Sequence, residues 1–79
     1  MRTAREATER TIRLAELHLA QQEARIEQQK RLIWSLEADG HAEMARDARQ
    51  LLGEMAILLG RMEDELAQAQ ERLLAREGR

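Results

Sequence analysis

Two histidines, a single serine and no cysteine are what this sequence offers for imidazole, hydroxyl or thiol chemistry. A nucleophilic triad needs its nucleophile, base and orienting acid in mutual contact. Ser35 has no histidine at helical spacing, so that arrangement is not expected. Without cysteine there is no disulfide framework, no thiolate zinc site and no thiol nucleophile. His18 and His41 fall near opposite ends of the first helical segment, and neither belongs to the Glu-x-x-His pattern of a di-iron bundle. No glycine-rich phosphate loop occurs, and Asp39-Gly40-His41 is too short for a calcium loop. Carboxylates are plentiful but alternate with arginines at helical spacing, as in Glu27 with Arg31 and Arg61 with Glu65. Such faces are solvated, and each pair contributes a few tenths of a kcal/mol. His18 is expected to pair with Glu65, and His41 to face solvent. The chain is therefore expected to be no enzyme and to use no metal or cofactor.

What the residues do specify is a seam. Ile12, Leu19, Ile26 and Ile33 recur every heptad, with Thr8, Ala15, Gln22, Gln29 and Leu36 at the complementary spacing. Beyond Asp39-Gly40-His41 the pattern resumes with Ala45, Leu52, Leu59, Leu66 and Leu73, and with Ala48, Met55, Met62 and Ala69 between them. Folding back at Gly40 sets Leu36 against Ala45, Ile33 against Ala48, Ile26 against Met55, Leu19 against Met62 and Ile12 against Ala69. The residue numbers in every pair have the same sum, as antiparallel helices require. The expected fold is all-α: an antiparallel two-helix coiled-coil hairpin that dimerises into a four-helix bundle.

The boundaries follow from capping chemistry. Thr3-Ala4-Arg5-Glu6 fits a capping box, a hydroxyl followed three residues later by a carboxylate. The single domain, residues 1–79, then holds a first helix over about 3–38, a turn at 39–41 and a second helix over about 42–75. Gly40 supplies the left-handed residue that closes a helix, and Gly78 ends the second one. Each helix is about 50 Å long at 1.5 Å per residue. Composition agrees: valine and proline are absent, one residue is aromatic, and 35% of the chain is charged. The charged start lacks a secretory pattern, and no stretch approaches the length of a membrane span. A cytoplasmic protein that does not enter membranes is expected.

A lone hairpin of this size is marginal, and oligomerisation is a common remedy. Met44, Leu51 and Leu58 widen the apolar stripe of the second helix, and Leu32 falls on the same flank of the first. These are the expected interface residues of a homodimer. On the other flank Gly53, Ala56, Gly60 and Ala67 form a small-residue strip, toward which Trp34 points from the first helix. Gly53, Gly60 and Trp34 are the second set of interface candidates. Gln22 and Gln29 are expected to pack their stems in the seam and send their amides to water at its edge; the alternative is that the amides are buried and fix register and partner number at a cost in stability. Glu16 opposite Glu63 and Lys30 opposite Arg49 predict like charges across the edge on the glycine side.

Twelve arginines stand against one lysine, yet the net charge is -2. Arg2, Arg5, Arg10, Arg13, Arg72, Arg76 and Arg79 gather where the termini meet, diluted by Glu6, Glu9, Glu71 and Glu77. Weak nucleic-acid binding at this end is the alternative function, although no aromatic platform accompanies it. An unidentified protein partner that completes the apolar flank is the other possibility.

The stretch Gln29-Lys30-Arg31-Leu32-Ile33-Trp34-Ser35-Leu36-Glu37-Ala38-Asp39-Gly40-His41 resembles a pattern in short, uncharacterised helical-hairpin proteins of alphaproteobacteria. These carry Arg-Gln-x-x-Leu-Ile-x-x-Leu, an Asp-Gly-His turn and an Ala- and Leu-rich second helix. The resemblance covers roughly residues 22–66. Lys30-Arg31 departs from the usual Arg-Gln, and the phenylalanine often found in the second helix is absent. It implies a bacterial, cytoplasmic hairpin and carries no activity. The expectation is a small, non-enzymatic helical protein of interaction and self-association.

Overall fold

Residues 3–77 are described by the structure, a computed structural model. Two helices account for nearly all of them, α1 over Ala4–Ala38 and α2 over Ala42–Glu77. Helix α2 thus continues past the expected end near residue 75, and Gly78 lies outside the described residues. No strand occurs among the described residues. The hairpin measures 59 × 19 × 14 Å, as two long helices side by side require.

Local chemistry sets the ends. Thr3 is extended and its hydroxyl accepts from the Glu6 amide at 3.1 Å, which satisfies one of the free N–H groups of the first turn. At the other end of α1 the Gly40 amide donates to Glu37 O at 3.1 Å and the His41 amide to Leu36 O at 2.9 Å. That bond pair is a Schellman closure, and it needs a left-handed residue, here Gly40 at φ +79°. The chain then re-enters a helix at once, with the Ala45 amide donating to His41 O at 2.9 Å. The tight reversal brings α2 back toward α1, and the matched apolar seams lay the two helices antiparallel.

Burial follows the heptads. Ile12, Gln22, Ile26, Ile33, Ala45, Ala48 and Ala69 are the buried residues among those described. The remaining seam positions are half-buried, and so are Glu9 and Gly60 just outside the seam; every other residue over 3–76 is exposed. The core is thin: no large side chain is completely sealed from solvent. Near both ends an isoleucine of α1 is level with an alanine of α2, Ile33 with Ala48 and Ile12 with Ala69. The helices can approach closely there because one side of each layer is a methyl group.

Candidate interaction surface

Within the seam the two glutamines are tied to the opposite backbone. Gln22 is 4% exposed, and its Nε2 donates to the main-chain oxygen of Met55 at 3.1 Å. Gln29 does the same one heptad along, donating to Ala48 O at 2.9 Å. A helical carbonyl that already accepts its own i+4 amide keeps a second lone pair for such a bond. This corrects the expectation that both amides reach water at the seam edge. A buried amide without a partner is costly, so each turns inward to the nearest free acceptor. No buried side-chain polar atom among the described residues lacks a partner.

At the edge carrying Lys30 and Arg49, each cation takes a carboxylate. Arg49 reaches along the hairpin to Glu37 at 3.0 Å, and Lys30 takes Glu27 of its own helix at 3.1 Å. Glu27 thus serves Lys30, where the sequence had paired it with Arg31. Both bridges are exposed and contribute little to stability.

His18 and Glu65 do lie together, lining a shallow depression of about 120 Å³ with Ala15 and Met62. No hydrogen bond or ion pair joins them among the described residues, so the expected pairing is not made. His41 is exposed in the turn, as anticipated. Among the described residues no group of three or more His, Asp or Glu side chains converges to hold a metal ion.

The flank bearing Leu32 holds the more apolar of the two larger depressions. Leu32, Leu36, Met44 and Leu51 line a groove of about 350 Å³, with Gln29, Asp47 and Ala48 completing its walls. Leu32 is 48% exposed, Met44 58%, Leu51 47% and Leu58 47%, which are high values for residues so apolar. Leu58 continues the line one heptad beyond Leu51. The contributions of Leu36, from the seam, and of Asp47, from the rim, were not singled out in the sequence. Both follow from the breadth of an open groove that reaches from the seam to the rim of two packed helices.

The glycine strip is open. A Cβ placed on Gly53 or Gly60 would meet nothing within 4 Å, so neither the backbone nor Trp34 of the same chain occupies that space. Trp34 itself is 74% exposed. Beside the strip a second depression of about 330 Å³ is lined by Glu23, Ala24, Ile26, Glu27, Lys30 and Leu59, a far more polar set. Other exposed apolar residues, Leu17, Ile57 and Leu74, are separated from one another around the outer faces.

At the open end of the hairpin Arg76 is committed to α1. One of its guanidinium nitrogens donates to Ala4 O at 3.1 Å and to the Thr8 hydroxyl at 2.8 Å. Arg5 is bonded to Glu9 at 3.0 Å. Arg10, Arg13 and Arg72 are exposed there, whereas Arg2 and Arg79 lie outside the described residues. No helix among the described residues is long and apolar enough to cross a membrane. Comparison of the chain with protein-family models, curated proteins and solved structures gives no match.

Proposed function

We propose that this chain is a non-enzymatic helical interaction protein that self-associates through the Leu32, Met44, Leu51 and Leu58 flank, two hairpins forming a four-helix bundle. The observation that carries this reading is the apolar groove between the helices, whose lining leucines and methionine stand half open to water. Burying apolar area releases about 25 cal/mol per Å², and a thin two-helix core leaves the hairpin in need of it. We also read the chain as a cytoplasmic bacterial protein, in keeping with the resemblance of residues 22–66 to the alphaproteobacterial hairpins.

The test is the solution mass by light scattering across a concentration series. The wild-type chain is expected at twice the 9.2 kDa of one copy. Leu51→Glu with Leu58→Glu is expected to reduce it to a single copy, because four buried carboxylates would enter the bundle. Ile57→Glu, on the outer face, is expected to leave the mass unchanged. A double variant that remains dimeric would place the interface on another face.

Nucleic-acid binding at the arginine-rich end has weaker support. Arg5 and Arg76 already donate within the chain, and acidic residues are interspersed with the others.

A further inference from the structure

We infer that the two copies lie side by side with both turns at the same end, the twofold axis running along the hairpin. This rests on the self-association reading and adds its orientation. A symmetric pair brings the same face of each copy together. Its axis can run either along that face or across it.

An axis across the hairpin points the turns in opposite directions and sets α1 on α1 and α2 on α2. Of the flank's large apolar residues, Leu32, Met44, Leu51 and Leu58 lie in the half nearer the turn, and Leu14 alone stands farther out. Farther out the same flank presents Arg25, His18 and Thr11 from α1, and Glu65 and Arg72 from α2, all of them exposed. Opposed turns with full overlap would therefore bury the apolar half of one copy against the polar half of the other. Sliding the copies until the apolar halves coincide shortens the overlap. With Leu51 of the two copies level, the overlap runs only from one turn to the other, about 30 Å at 1.5 Å per residue. On a face 19 Å wide that is about 570 Å², short of the roughly 800 Å² per partner of a standard interface.

An axis along the hairpin has neither defect. The apolar halves coincide while the whole length overlaps, which at about 50 Å by 19 Å gives about 950 Å² per partner. Helix α1 then lies over α2 of the second copy at unchanged height. Arg25 comes level with Glu54 of the partner subunit, and His18 with Glu65 of the partner subunit. Thr11 and Gln21 meet the levels of the basic residues Arg72 and Arg61. Arg25 is the only arginine or lysine that α1 presents on this flank, so no pair of like charges is forced together.

Because the chain has no cysteine, single labels can be placed without background. Spin labels on His41→Cys and, separately, Ala75→Cys would be measured by pulsed dipolar spectroscopy in samples whose mass has been checked by light scattering. With the turns together, helices about 10 Å apart keep both label pairs within about 30 Å. With the turns opposed, the rise of 1.5 Å per residue puts at least the Ala75 labels about 50 Å or more apart. A dimer giving the long distance would overturn the orientation alone. A monomer at every concentration would remove the self-association on which it rests.

Discussion

Gln22 and Gln29 are the residues whose role is most specific. A leucine at either place would bury more apolar surface, yet each amide bonds a particular carbonyl on α2, that of Met55 or of Ala48. Main-chain carbonyls recur along α2, so a slip of one heptad would offer each amide an equivalent acceptor, and the register is held instead by the turn at Gly40 and the matched seams. Polar seam residues commonly trade stability for a defined partner number. Gln22→Leu with Gln29→Leu is expected to raise the urea midpoint, by about 1 kcal/mol or more in stability. The same variant is expected to broaden the mass distribution in light scattering. A uniform species of unchanged mass would show that the amides do not select the partner number. The spacing marked both residues as seam positions. Which way each amide turned depended on an acceptor supplied by the other helix, and that acceptor has no signature in the local sequence.

At the scale of the element, the three described glycines are not equivalent. Gly40 holds φ +79° at the end of α1, a conformation that costs an L side chain about 1–2 kcal/mol. Gly53 and Gly60 are helical, with open space where a side chain would stand. Gly40→Ala is therefore expected to lower stability by about 1 kcal/mol. Gly53→Ala and Gly60→Ala are each expected to raise it by a similar amount, about 1 kcal/mol, through helix propensity. Thermal melts would separate these signs, and light scattering should find the alanine variants still associated. Weakened association in Gly53→Ala or Gly60→Ala would instead mean that another helix packs on the glycine strip. The turn was legible because Asp39-Gly40-His41 interrupts two continuous heptad patterns. The strip was equally legible as a run of small residues, but its openness is a fact about what the rest of the chain leaves empty.

For the whole molecule, stability and assembly should be linked. A thin seam with no fully sealed large side chain leaves the hairpin dependent on what covers its flank. If two copies fold as one unit, mass action makes the melting temperature rise with concentration. A clear upward shift between micromolar and near-millimolar chain is expected by circular dichroism. A constant melting temperature in a chain that stays at one copy would mean that the hairpin is stable alone, with its flank free for a different partner.

The sequence by itself determined the architecture. Heptad spacing selects which residues face inward on each helix, and one glycine-centred break converts two amphipathic helices into an antiparallel pair with a single consistent register. Ile12, Ile26, Ile33, Ala45, Ala48 and Ala69 are buried because periodicity is a local property, readable along one strand of text. Only the tertiary structure decided where polar groups found partners: Gln22 and Gln29 on the α2 backbone, Arg49 on Glu37, and Arg76 on Ala4 and Thr8. Long side chains choose among several acceptors within reach, and the choice depends on distances between helices that no spacing rule encodes. The groove under Leu32, Met44 and Leu51 arises in the same way, because a concave surface exists only once two convex helices have been laid together.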